Sequence, residues 1–101
     1  MLKVRFDDVM FVEGADNYIL IHTPEDDHIT YLTMKEMEQH LPEEVFVRIH
    51  RSFVINLNYV SVIERNRVIL KNGKYLVLGK LYKQRFLELM DTHLVKTARA
   101  S

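Results

Sequence analysis

Between Phe46 and Asn56 the chain carries two apolar blocks around a knot of donors, Phe-Val-Arg-Ile-His-Arg-Ser-Phe-Val-Ile-Asn. Phe46, Val47 and Ile49 lie close enough together to specify a short strand, because an extended backbone sends successive side chains to opposite faces. Phe53, Val54 and Ile55 then return the chain to a core. His50, Arg51 and Ser52 are left where the first strand ends, on a connection held at both sides. Donors anchored in this way make a recognition surface. Arg48 and Arg51 also read as ordinary solvated charges at a sheet edge, since surface arginines are common.

The rest of the chain is built on the same scale. Asp8 to Val12 is a compact apolar run, and Glu13-Gly14-Ala15-Asp16-Asn17 after it has the composition of a turn. Tyr18 to Thr23 and His28 to Leu32 read as the next two strands, parted by the acidic turn Pro24-Glu25-Asp26-Asp27. Thr33 followed by Glu36 is a capping box that opens a helix over Thr33 to His40. Met34, Met37 and Leu41 line one face of it, and Pro42 stops it. Asn56 to Tyr59 reads as a tight turn, Val60 to Ile63 and Arg67 to Leu70 as paired strands, and Asn72-Gly73 as a type I′ hairpin turn leading into Tyr75 to Leu78. Beyond Gly79, a terminal helix is expected from Lys80 to Leu94, with Tyr82, Phe86, Leu89 and Met90 on one face. These elements predict a mainly β fold of antiparallel hairpins with short helices. It forms one domain over residues 1–95, with a flexible tail at 96–101.

The 101 residues suit a single domain. The absence of cysteine excludes disulfides, a thiol nucleophile and cysteine-based zinc sites. No apolar run approaches the ~20 residues of a membrane span. Asp7 and Asp8 close behind the N-terminus are unlike a signal peptide, so a cytoplasmic protein is expected. An enzyme is hard to assemble. The histidines at 22, 28, 40, 50 and 93 lack metal-ligand spacing, and neighbours such as Arg51 and Ser52 point apart on an extended chain. Asp26-Asp27 fits a solvated turn, and the three glycines are too scattered for a phosphate loop. No catalytic residue, metal or cofactor is expected.

Net charge is zero, but its distribution is lopsided. Residues 1–47 hold eleven acidic and three basic side chains, whereas residues 48–85 hold nine basic ones against Glu64 alone. Such asymmetry points to a polyanionic partner, or to attraction between the two halves within the fold. Lys80 and Lys83 add to it, because cations at a helix start oppose the helix dipole and suit a phosphate drawn to the free N–H groups there.

Several stretches together resemble one family, the LytTR DNA-binding domain, over roughly residues 4 to 90. They are Asp8-Val9-Met10-Phe11-Val12-Glu13 with Asn17-Tyr18, the capped helix, the Phe46 to Asn56 stretch, and Gly79-Lys80-Leu81-Tyr82-Lys83. The resemblance implies an elongated fold of antiparallel β-sheets whose loops enter successive major grooves of double-stranded promoter DNA, at paired repeats and as a dimer. It further implies an output module of a bacterial transcription regulator in a two-component system, placed after a receiver domain. Carried over, Arg51 is expected to read a base through a bidentate contact to guanine, with His50, Asn17 and Lys80 as further base contacts. Ser52, Lys83, Arg65 and Lys71 are expected on phosphates, and Arg48, Phe53 and Asn56 as scaffold of the loop. The chain departs from the family where Gly79-Lys80-Leu81 stands for the frequent Ser-Arg-Arg, with one cation and one hydroxyl fewer. The competing class is a protein-interaction module that uses the basic half and an exposed Met34/Met37 face.

Overall fold

A computed structural model of the chain describes residues 4–100, with side chains described for residues 4–91. The antiparallel meander is present as β1 (Phe11–Gly14), β2 (Ile19–His22) and β3 (Asp27–Thr30). The donor stretch forms the hairpin of β4 (Phe46–His50) and β5 (Phe53–Asn56). β5 pairs back along β1, which gives a five-stranded sheet in the order β3-β2-β1-β5-β4. A second sheet joins β6 (Val60–Glu64), β7 (Arg67–Leu70) and β8 (Tyr75–Val77). Two helices complete the fold, α1 (Met34–His40) and α2 (Lys83–Ala100). The molecule is 41 Å long against 27 and 25 Å across, a mainly β and elongated architecture.

The larger sheet is buried on both faces at β1, β5 and β4, which explains the largely apolar runs of β4 and β5. One face, with Val12, Ile19, Phe46 and Val54, packs against Met37 and Leu41 of α1. The other, with Phe11, Val47, Ile49 and Ile55, packs against Val68, Leu70 and Leu76 of the second sheet and Phe86 of α2. Met37 is thus buried, so the face proposed for docking in the protein-interaction reading belongs to the core. The α1 cap forms as the sequence predicts: the Glu36 N–H donates to the Thr33 hydroxyl at 3.1 Å, and the Thr33 N–H to the Glu36 carboxylate at 3.0 Å.

Several boundaries differ from expectation. Glu13 and Gly14, read as turn, extend β1 and pair with Leu20 and Ile19, leaving residues 15–18 as the connection. The Asn56 to Tyr59 turn is a 3-10 turn over Leu57–Tyr59. Lys80–Tyr82 is also a 3-10 turn, so α2 opens at Lys83 and Lys80 precedes it. The Asn72-Gly73 turn is not type I′, because Gly73 has φ 89° and Asn72 is not in the positive-φ region. The Gly73 N–H donates to the Leu70 carbonyl at 2.9 Å and the Leu70 N–H to the Lys74 carbonyl at 2.8 Å, a three-residue loop closed by a glycine bulge. The Asn72 side chain favours this geometry by accepting from the Lys74 N–H at 3.0 Å. α2 runs on past Leu94, the expected end of the terminal helix, to Ala100, and so takes in residues 96–100 of the expected tail. No helix of the described residues is long and apolar enough to cross a membrane.

Asn56, at 1 % exposure, joins three segments. Its amide donates to the Val9 carbonyl at 3.0 Å, its Oδ1 accepts from the Asn58 N–H at 2.9 Å, and its backbone N–H donates to the Met10 carbonyl at 2.9 Å. Asn56→Ala leaves the buried Val9 carbonyl and the part-buried Asn58 N–H without these partners and is expected to destabilise the fold by about 1–3 kcal/mol in chemical denaturation. Thr33 hydrogen bonds, chiefly that from its backbone, hold the Glu36 carboxyl below its ordinary value of 4.5. A depressed carboxyl contributes stability above the unfolded pKa and loses it as pH falls through the folded one. Glu36→Gln is therefore expected to flatten the melting temperature against pH below 4.5, and an unchanged profile would show that ionisation of Glu36 contributes nothing to stability.

Candidate nucleic-acid interface

Strand register gathers four connections at one end of the molecule. Gly14 pairs with Ile19, Glu13 with Phe53, and Phe53 with His50, so the 15–18 connection and the Arg51-Ser52 turn emerge side by side. The Gly14 N–H donates to the Ser52 carbonyl at 2.8 Å and fastens the two together. On the other side of the turn, the Gly79 N–H donates to the Ile49 carbonyl at 2.6 Å. A Cβ at position 79 would lie 3.3 Å from that oxygen and 3.1 Å from the Tyr82 ring, so glycine permits this close approach of Lys80–Tyr82 to β4. The fourth connection is the β6–β7 hairpin tip, tied in by the Leu78 N–H donating to the Asn66 carbonyl at 2.7 Å. His50, Asn66, Gly79, Lys80 and Lys83 border one open depression between these segments.

The His50–Ser52 turn is internally braced. The Ser52 N–H donates to His50 Nδ1 at 3.0 Å, an arrangement that leaves the ring hydrogen on Nε2. Phe53 packs against the ring with centroids 5.3 Å apart. Arg48 donates through Nε to the His50 carbonyl at 2.9 Å, through Nη2 to the Arg51 carbonyl, and through Nη1 to Glu38. Arg51 differs sharply: its side chain is exposed and, among the described residues, makes no hydrogen bond or ion pair. Asn17 and Lys80 are exposed as well, and Lys83 is half-buried where α2 begins. Arg65, also exposed, adopts φ 47° at the hairpin tip, a conformation that disfavours residues with a Cβ.

The structure therefore brings together Asn17, His50, Arg51, Ser52, Lys80, Lys83 and Arg65. It does not bring Lys71 with them. Lys71 lies beyond the other end of β7, where its N–H donates to the Tyr59 carbonyl at 2.9 Å and the neighbouring Asn72 reaches Met10. That end also collects Asp7 and Asp8, the Glu25-Asp26-Asp27 turn and the Glu43-Glu44 approach to β4. Seven of the eleven acids of residues 1–47 thus lie at that end, while Glu13 and Asp16 lie by the four connections. Attraction between the halves explains little of the charge imbalance, because Arg48 with Glu38 is the one ion pair joining residues 1–47 to residues 48–85 among the described residues. No group of three or more histidine, cysteine, aspartate or glutamate side chains suited to a metal occurs among the described residues.

Three participants had no clear signal in the sequence. Glu38 was one acidic residue on a helix, Asn66 one turn residue, and Leu81 one apolar residue in an expected helix, yet Leu81 is 94 % exposed beside Lys80.

A family model described as the LytTr DNA-binding domain matches residues 1–91. Sensory transduction protein LytT of Bacillus anthracis is 26 % identical over 95 residues, covering 89 % of this chain and 39 % of the relative. Transcriptional regulatory protein NatR of Bacillus subtilis (strain 168) is 38 % identical over 54 residues, or 54 % of this chain and 23 % of the relative. Among solved structures, a LytTr DNA-binding domain from Bacillus cereus superposes with a TM-score of 0.82 at 26 % identity, covering 88 % of this chain and 86 % of that one. The chain spans about two-fifths of the LytT relative's length.

The contrast between the two arginines can be tested chemically. Arg48, with a side chain 24 % exposed and all its arms engaged, is expected to resist phenylglyoxal under conditions that label Arg51. Peptide mass mapping reads the order, and equal labelling would contradict the bracing described for Arg48.

Proposed function

The chain belongs to the LytTr DNA-binding domain family, and from that premise we propose that it binds double-stranded promoter DNA sequence-specifically through the four connections gathered at one end. Membership of a family of DNA-binding regulator domains supports a role in transcription regulation. The observation that carries the finer reading is the free guanidinium of Arg51 on a turn whose backbone is held by Arg48, Gly14 and His50. A bidentate fork is suited to O6 and N7 of guanine in the major groove, and a braced turn lowers the entropy lost in forming that contact. His50 supplies its Nε2 hydrogen to a neighbouring acceptor. Asn17, one connection away, and Lys80, on the other side, extend base contact to both flanks.

Ser52, Lys83 and Arg65 contact phosphates and set register without reading sequence. Lys71, at the far end, lies outside this footprint. The acidic end points away from the duplex, so long-range repulsion is kept remote while the cationic end leads the approach. The LytT relatives are longer than this chain, which suits an output module joined to a receiver domain in a two-component regulator of the bacterial cytoplasm. Two copies on paired repeats extend the recognised sequence. No cofactor takes part, and no catalytic step is assigned.

Titration of a selected duplex at several salt concentrations is expected to show log K falling steeply with log salt. Arg51→Ala should cost about 1–3 kcal/mol on the selected site and relax preference at one base pair. Salt-independent affinity would sink DNA binding, whereas an equal loss on every sequence would reassign Arg51 to a phosphate.

A further inference from the structure

We propose that Glu38, on α1, is a positioning residue for sequence recognition: acting through Arg48, it fixes the backbone of the His50–Ser52 turn and thereby the direction of Arg51. The proposal rests on the DNA-binding reading and adds to it a residue that lies outside the four connections.

The β4–β5 ladder slips register between Arg48 and His50, directly before the turn. A bulge re-aims the chain but interrupts the ladder, so carbonyls next to it need donors from elsewhere. Arg48 supplies them, since its guanidinium engages the carbonyls of both His50 and Arg51. A planar group with donors in a fixed fork transmits orientation well, provided that the group itself cannot swing. Two features hold it: the Tyr82 ring, 5.9 Å from Cζ, and the Glu38 carboxylate on Nη1.

Glu38 is suited to anchor rather than merely to neutralise. Its helix is fixed by the Thr33–Glu36 capping box and by the burial of Met37, its immediate neighbour. A long side chain on such an element has a defined starting point, and a recognition group must be held within narrow limits of distance and angle to discriminate. Charge alone argues the other way. Glu38 pairs with an arginine that grips the cationic turn, and an acid near a polyanion opposes association with any sequence. Positioning and electrostatics therefore predict opposite signs when Glu38 is removed.

The test uses the full chain, a duplex recovered by selection from a randomised pool with the wild-type protein, and a scrambled duplex of equal length. Glu38→Ala is expected to weaken binding to the selected duplex about fivefold, as for coupled residues in one network. Binding to the scrambled duplex should stay level or tighten, so the ratio of the two affinities falls. Glu38→Gln, which keeps an acceptor for Arg48 without the charge, should recover part of that ratio. Thermal melts accompany each variant. Should Glu38→Ala fail to fold, Arg48→Lys, which keeps the charge but loses the fork, must show the same loss of discrimination. Binding of the selected duplex by Glu38→Ala as tight as wild type or tighter, or an equal loss on both duplexes, overturns the role of Glu38 alone. Failure of the wild-type chain to separate the duplexes overturns DNA recognition itself, and this role with it.

Discussion

The return of β5 along β1 is the pairing on which the architecture depends. β1 and β2 make a local hairpin, and so do β4 and β5, but neither two-stranded unit can bury both of its faces alone. Joining Phe11, Val12 and Glu13 to Ile55, Val54 and Phe53 turns two hairpins into one sheet with two apolar faces. Those faces recruit the remaining elements. α1 covers one through Met37 and Leu41, while the second sheet and α2 cover the other through Val68, Leu76 and Phe86. The same pairing aligns the ends of the hairpins, so that the Gly14 N–H meets the Ser52 carbonyl. A structural contact of the core thereby sets the spacing between the turns bearing Asn17 and Arg51.

Electrostatics follows from that alignment. Antiparallel strands send alternate connections to opposite ends, and the sequence places half of its acids on one set and several cations on the other. His50, Arg51, Lys80, Lys83 and Arg65 emerge where the strands of the central hairpins turn at Gly14 and Ser52, whereas Asp7, Asp8, Glu25, Asp26 and Asp27 emerge where they begin. The protein is neutral as a whole, yet its charges are unevenly divided between the two ends of its strands. Net charge is therefore a poor guide to its partner, and the field near one end is what an approaching polyanion meets.

Much of the fold is legible in the sequence because local chemistry and tertiary packing agree. The capping box at Thr33 and Glu36, the proline at 42 and the β-branched runs each specify an element that then finds a buried face. Disagreement arises where a side chain competes with a backbone preference. Asn72 spends its carboxamide on the Lys74 N–H, and the positive φ passes to Gly73 alone. At the site, local sequence identifies the donors on the His50–Ser52 turn but not their surroundings. The distance between Glu38 and Arg48, or between Asn66 and Leu78, depends on how separate hairpins stack. Lys71 shows the reverse limit: its residue type fits a phosphate contact, while the parity of the hairpins carries it to the other end.

Arg48 and Arg51 show how a small backbone irregularity separates residues that look alike. Both are arginines in a run of donors, three positions apart, and either is chemically able to grip a guanine. In β4, Arg48 lies opposite Val54, on the face that packs toward α1, where Glu38 is waiting. The slip after Arg48 then breaks strict alternation, so the chain turns outward and delivers Arg51 to solvent. The carbonyls exposed by that slip are the acceptors that occupy Arg48. One bulge thus frees the second arginine and commits the first to holding it in place, so which arginine reads and which supports is decided by strand register rather than by residue type.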